Sequence, residues 1–266
     1  MIYRIIVYII LGFSLIFGYV RYLEIRGIFF PTTNIELTPA AINLSYEDVY
    51  IQTKDNLKIN GWFISCNNAK YTVLFFSGNA GNIGHRLDKI SILNGIGLNI
   101  FIIDYRGYGL SQGRPSERGL YRDAEAAYEY LLNSRRILPN QIILYGESLG
   151  TAVAINLASE FKVKAIILEG AFSSGKDMAK TIYPFIPAFF FSNKFNSWQK
   201  IKNMDVPKLF LHSVDDEIVP LDFARKLFDS ASEPKYFEQL RGGHNTAFLD
   251  SQDKYSSSLA SFLDKL

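Results

Sequence analysis

The chain predicts a mostly parallel α/β sheet with helices on both faces. Three observations predict it. Short continuous apolar runs, rich in Ile, Leu, Val and Phe, recur along the sequence. Stretches with helical spacing of apolar residues lie between them. A tight Gly146-Glu147-Ser148-Leu149-Gly150 turn joins one such run to one such stretch. Apolar runs without polar alternation belong to strands buried on both faces, and helices between them supply the crossovers that parallel pairing needs.

The elements follow in order. Ile5 to Val20 holds no charge, is rich in Ile, Leu and Phe, and is bracketed by Arg4 and Arg21. It falls slightly short of the ~20 residues of a membrane span, but Tyr3, Tyr22 and Leu23 extend it. Arginine stems reach outward, and Tyr19 and Tyr22 suit an interfacial belt. No small-residue cleavage site of the A-x-A kind follows, so an uncleaved anchor over 1–26 is favoured over a signal peptide. Arg4 and the amino terminus on one side, and Arg21, Glu24 and Arg26 on the other, leave its orientation undetermined. Phe29-Phe30-Pro31-Thr32 opens a linker over 27–43. Val49–Thr53 and Leu57–Trp62 alternate about Asp55-Asn56 and read as a β-hairpin. Thr72–Phe76 reads as a buried strand, His85–Gly95 as a helix, and Asn99–Ile103 as a strand. Gly119–Leu132 follows as a helix, Gln141–Tyr145 as a strand, and Thr151–Ala158 as a helix. Ala165–Glu169 and Lys208–His212 are strands, Pro220–Ser230 a helix, Lys235–Leu240 the last strand, and Tyr255–Leu266 a closing helix.

Composition narrows the function classes. At 266 residues, 48% hydrophobic and 20% charged, the chain has the makings of a full core in one domain, 44–266. A net charge of +2 with no basic stripe gives no case for nucleic acid. The single cysteine, Cys66, excludes an internal disulfide framework and Cys-rich zinc sites. It reads as a passive small residue.

The alternation breaks once, between Ser173 and Asp205. This insert, 174–205, lies where a short lid would cover the catalytic end of the sheet. It carries Tyr183, Phe185, Phe189, Phe190, Phe191 and Phe195 among prolines. The plainer reading is that these rings pack the insert onto the domain. The sharper one is that they line an acyl pocket or touch the bilayer.

Strand, Gly-x-Ser-x-Gly and helix together form the context of a nucleophile elbow. The turn is tight, so small residues must flank the serine. Serine is a poor nucleophile without a positioned base, and the chain has only three histidines. Elbow enzymes read Ser, then Asp or Glu, then His along the chain. His85 precedes the elbow, and His212 precedes the acid loop and reads as a strand-end residue shaping it. His244, in Arg241-Gly242-Gly243-His244-Asn245 after the last strand, is the candidate base. Val214-Asp215-Asp216-Glu217 supplies the acid; the spacing favours Asp216, with Asp215 as its rival. Asp215 and Glu217 otherwise read as exposed loop carboxylates. Two backbone amides are needed for the oxyanion: Leu149, after the nucleophile, and Asn79, in Ser77-Gly78-Asn79-Ala80-Gly81-Asn82. No Gly-Lys-Ser/Thr follows that loop, so it is not a P-loop.

Five ordered motifs resemble the α/β-hydrolase superfamily, and within it the membrane-anchored Bem46 and α/β-hydrolase-domain-13 group. They are Gly78–Arg86, Asp104-Tyr105-Arg106-Gly107-Tyr108-Gly109, the elbow, His212–Pro220, and Gly242-Gly243-His244-Asn245, behind a hydrophobic anchor. The similarity runs from about Leu44 to the C-terminus. It implies a serine hydrolase with Ser148, Asp216 and His244 as its triad, and a short lid. Two positions depart from the pattern: Ser77-Gly78 and His212-Ser213 stand where His-Gly is usual.

The expected function is cleavage of an ester or thioester, on an acyl or lipid-like small molecule, through an acyl-enzyme on Ser148. No metal or cofactor is expected, and the partner is the membrane through the N-terminal helix. Two alternatives stand beside it: a membrane-tethered binding protein without turnover, and an acyltransferase or peptidase using the same three residues.

Overall fold

The computed structural model describes every residue except Asn193, and every side chain except those of Asn193, Ile25 and Arg26. Asn193, within the expected lid, thus lies outside the described residues, as does the Arg26 charge invoked for orientation. The chain opens with α1 (Ile2–Arg26). Among the described residues it is the one helix long and apolar enough to cross a membrane, over Ile2–Glu24 with a mean hydropathy of 1.9. The rest runs β1 (Phe30–Pro31), β2 (Glu47–Gln52), β3 (Lys58–Ile64), β4 (Thr72–Phe76), β5 (Ala80–Gly81), α2 (Leu87–Gly95), β6 (Asn99–Ile103), α3 (Glu117–Asn133), β7 (Ile142–Glu147), α4 (Leu149–Glu160), β8 (Ala165–Glu169), α5 (Gly175–Ile182), α6 (Ser197–Lys200), β9 (Lys208–Ser213), α7 (Leu221–Ser230), β10 (Lys235–Leu240), α8 (Ala247–Asp250) and α9 (Gln252–Asp264).

Eight strands form one sheet in the order β2-β3-β6-β4-β7-β8-β9-β10. The hairpin β2–β3 is antiparallel, as is β3 with β6; every later pair is parallel. The chain leaves β4 for β6 on one side and returns to β7 on the other. This reversal opens a crevice at the carboxyl ends of β4 and β7, where open α/β sheets hold their sites. The apolar strands divide their side chains by the period of two. Leu74, Phe76, Leu144 and Leu168 face one core with α3 and α4. Val73, Phe75, Ile143 and Ile167 face the other with α2 and α9.

Helix signals act locally. Ser116 accepts a bond from the Gly119 amide and caps α3, whose Leu120, Ala124, Ala127 and Leu131 form its buried stripe. In α9, Tyr255, Leu259 and Phe262 do the same. Helix ends differ from expectation by a few residues. His85, for instance, lies in a 3-10 turn (Ile83–Arg86) before α2, because Asn82 caps that turn and His85 Nδ1 accepts the Asn82 amide at 3.1 Å.

The segment expected as a linker is docked. β1 pairs with β5 in parallel. The amide of Phe30 donates to the Asn79 carbonyl at 2.9 Å, and that of Thr32 to Gly81 at 3.0 Å. The apolar Phe29 and Phe30 and the carbonyls around them had no partner legible in the local sequence; the partner is the loop after β4, some fifty residues on.

The insert's rings divide three ways. Phe195 is buried in the main core, edge-on to Tyr121 and Phe29. Phe190 and Phe191 bury Val20 of α1, with Tyr183 stacked on Phe191. Phe185 and Phe189 remain exposed. The packing reading holds for Phe190, Phe191 and Phe195, while Phe185 and Phe189 do not pack the insert onto the domain.

The Arg106 of the Asp104–Gly109 motif is buried between Asp123, at 2.8 Å, and Asp55, at 2.9 Å, with Arg122 also on Asp55. Removing one side of such a pair leaves a buried charge unmatched. Arg106→Met should destabilise the protein by about 3–5 kcal/mol, and adding Asp123→Leu should return much of it. Urea midpoints of the two variants in detergent measure this; equal midpoints for single variant and wild type would contradict the assignment.

Candidate active site

The site is assembled from four strand ends. Ser148 follows β7 and heads α4 with φ +50° and ψ −113°, a conformation that L-residues rarely adopt. Its amide is held by the Glu169 carbonyl of β8 at 2.8 Å. The flanking glycines have no alternative. A β-carbon on Gly146 would lie 2.5 Å from the Gly150 carbonyl oxygen, and one on Gly150 would lie 2.0 Å from that of Phe76. The helix therefore packs directly on the end of β4, and the serine hydroxyl projects above the sheet.

Asp216, on the loop after β9, and His244, on the loop after β10, meet it there. Ser148 Oγ lies 3.0 Å from His244 Nε2, and His244 Nδ1 lies 2.7 Å from Asp216 Oδ2. A carboxylate only accepts, so Nδ1–H donates to Asp216 and Nε2 is free to accept from the serine. Asp216 Oδ1 accepts the amides of Ile218, at 2.9 Å, and Val219, at 2.7 Å. Burial opposes its charge, but His244 and these amides outweigh burial and lower its pKa. For His244, burial opposes the imidazolium; the Asp216 hydrogen bond and the charges of Asp216, Glu147 and Glu169 outweigh it and raise its pKa above the ordinary histidine value.

The rival acid is placed elsewhere. Asp215 is exposed, 3.1 Å from Arg241 Nη1 and 3.3 Å from the Gly242 amide. His212 is buried; its Nε2 donates to the Val219 carbonyl at 2.9 Å and sits 3.6 Å from Asp216 Oδ2, so it braces the acid loop. Glu217 departs from its reading as a plain loop carboxylate. It accepts the His244 amide at 2.9 Å and ties the two loops together. Nothing in its local sequence signals this, because the bond joins two loops 27 residues apart.

A buried ionic cluster beneath the elbow was also not foreseen. Glu147, the variable residue of the turn, pairs with Arg86 at 3.0 Å and Lys89 at 3.2 Å; Lys89 reaches Glu169 at 2.8 Å. Glu169 also accepts from Tyr145, which bonds Tyr255. Burial opposes the Glu147 charge, yet Arg86 and Lys89 hold its pKa down at about 2. One signal was available: Lys89 is a charge between Leu87 and Ile90 on the apolar stripe of α2.

Asn79 and Leu149, the residues expected to supply oxyanion amides, line one cavity of about 560 Å³ together with Ser148 and His244. The loop carrying Asn79 is fixed from behind. Tyr108 donates to the Asn79 carbonyl at 2.7 Å and Tyr105 to that of Ser77 at 3.1 Å. This gives the two tyrosines of the Asp104–Gly109 motif a job. Much of the remaining lining is apolar, from Ile28, Phe30, Met178, Ile182 and Phe195, with Glu24, Ser192 and Lys194 among it. A second depression of about 570 Å³, around Ser159, Lys200 and Asp205, lies away from these groups and brings no nucleophile and base together.

The chain is similar to known proteins. Residues 67–200 match the family described as serine aminopeptidase, S33. The α/β-hydrolase domain-containing protein WAV2 of Arabidopsis thaliana is 35% identical over 86% of this chain and 82% of its own length. Protein bem46 of Schizosaccharomyces pombe is 35% identical over 85% of this chain and 79% of its own. A membrane protein of Saccharomyces cerevisiae, YNL320W, is 36% identical over 85% and 82% respectively. Among solved structures, the esterase Pf2001 of Pyrococcus furiosus superposes with a TM-score of 0.75 at 20% identity, covering 89% of this chain and 98% of the other, a likeness of fold. With its sheet order, its elbow and these relatives taken together, the chain belongs to the α/β-hydrolase family, in the Bem46-like group.

Proposed function

We propose that this hydrolase cleaves an ester or thioester of an acyl, lipid-like substrate through an acyl-enzyme on Ser148. The observation that supports the reading is the unbroken line Asp216–His244–Ser148, at 2.7 and 3.0 Å, on the wall of a largely apolar cavity. His244 takes the Ser148 proton as Oγ attacks the carbonyl carbon. Amides of Leu149 and Asn79 receive the developing oxyanion. The imidazolium, steadied by Asp216, then protonates the leaving alkoxide or thiolate. Water, activated by the same histidine, attacks the acyl-enzyme, releases the carboxylic acid and restores Ser148. The apolar wall favours an acyl chain over a charged peptide end. Residues 1–26 serve as a single-pass anchor, 44–266 as the catalytic domain with a lid over 174–205, and 27–43 as a strap docked between them.

Labelling with a fluorophosphonate tests the nucleophile. Wild-type protein should label and Ser148→Ala should not; equal labelling of the two would sink the assignment. On a soluble p-nitrophenyl ester, Asp216→Asn should lower kcat about 10³–10⁴-fold. Asp215→Asn should leave it nearly unchanged, and the reverse pattern would move the acid to Asp215.

The pH profile follows from the sign of the His244 shift. The base acts only when neutral, so kcat/KM should fall as pH drops through its pKa. Because that pKa is raised, the fall should begin above the ordinary histidine value. A midpoint below that value would contradict the coupling to Asp216, Glu147 and Glu169.

A further inference from the structure

Part of the lid lies along α1. At the carboxyl end of the helix, Glu24 accepts the Ser192 amide at 2.7 Å and its hydroxyl at 2.8 Å. Further along, Val20 is buried by Phe190 and Phe191. Deeper still, Phe13 meets Phe190 at 5.1 Å and Phe189 at 6.4 Å between ring centroids. From residue 24 to residue 13, at 1.5 Å per residue, is ~16 Å along the helix axis. That is about half of a ~30 Å hydrocarbon core. If Ile2–Glu24 spans a bilayer, the Phe189–Phe190 turn reaches its interior.

The exposed face of the lid agrees with that depth. Ile182, Phe185 and Phe189 project outward, and Phe185 is 96% exposed. Phe189 stacks on Phe13, itself exposed on the flank of α1. The cavity that holds Ser148 is lined from both: by Leu23 of α1 and Gly27 just past its end, and by Met178, Ile182 and Tyr183 of the lid.

We propose that the lid tip is embedded in the bilayer beside α1, and that the substrate is a membrane-resident acyl lipid that enters laterally between the tip and the helix end. This rests on the hydrolase reading above for its chemistry, but not for the depth of the lid. The scissile carbonyl would reach Ser148 while the acyl chain still lay among neighbouring lipids. No separate extraction into water would be needed.

Two measurements test it on the full chain in phosphatidylcholine vesicles. Cys66 is the single cysteine, so a nitroxide can be placed on Phe185→Cys or Phe189→Cys in a Cys66→Ser background. Both labels should be relaxed more by oxygen than by a water-soluble nickel chelate. Preference for the nickel chelate would overturn the proposal by placing the tip in water. Poor access to both would overturn it by placing the tip against a second protein surface. The second measurement compares a fluorogenic phospholipid ester in the vesicles with soluble p-nitrophenyl acetate. Phe185→Glu should lower hydrolysis of the lipid ester about tenfold or more, because a carboxylate resists burial in hydrocarbon, and leave the soluble ester nearly unchanged. Equal loss on both esters, or loss on neither, would overturn lateral entry. Wild-type protein that cleaves neither ester would overturn the hydrolase reading and lateral entry with it, while the label depths still decide the placement of the tip.

Discussion

A β-carbon at residue 150 would stand 2.0 Å from the carbonyl oxygen of Phe76. That close approach of α4 to the end of β4 is the constraint on which the site depends. It sets the tightness of the turn, which in turn holds Ser148 at a positive φ. It also brings Gly78 so near that a β-carbon there would lie 3.7 Å from Ser148 Cβ. The loop carrying Asn79 and the helix carrying Leu149 are thereby neighbours. Backbone strain of this kind costs on the order of 1–3 kcal/mol and persists only where the surroundings over-determine it. Here they do, through Tyr105 and Tyr108 behind one loop and the Glu169 carbonyl behind the serine amide.

The charges beneath the elbow have an electrostatic as well as a mechanical part. Glu147 and Glu169 are matched locally by Arg86 and Lys89, so the cluster carries no excess charge of its own. The carboxylates nonetheless contribute to raising the His244 pKa. Burial alone would make the imidazolium costly, and the carboxylates around it offset that cost. Asp216 is then one of several acids that the histidine feels, distinguished by being the one it hydrogen-bonds.

Most of the central sheet was legible because its strands are apolar nearly throughout, and Thr72–Phe76, Asn99–Ile103 and Ala165–Glu169 have the very bounds read from the sequence, as does the more polar edge strand Lys235–Leu240. Ser148 and His244 were legible because glycine-bracketed loops between strand and helix are short local patterns. Asp216 rather than Asp215 beside His244 could be favoured by spacing, but only the position of β9 against β10 separates the two. The docking of Phe30–Pro31 on Ala80–Gly81, the bond from Glu217 to the His244 amide and the Lys89 cluster are long-range pairings. No local periodicity encodes them, so they appear only once the chain is folded.

The short β1–β5 ladder also sets a height. α1 ends at Arg26, and by Phe30 the chain is already bonded to the loop of Asn79. From Gly27 to Phe30 are three Cα steps of 3.8 Å, ~11 Å at full stretch. The tether therefore has almost no slack, and it acts as a ruler. On the hydrolase reading proposed above, the bond that Ser148 attacks would lie within a narrow layer above the helix end. A long, mobile head group would gain nothing from its reach, and molecules whose reactive carbonyl sits at a different level would be sorted out by elevation before the shape of the cavity could judge them.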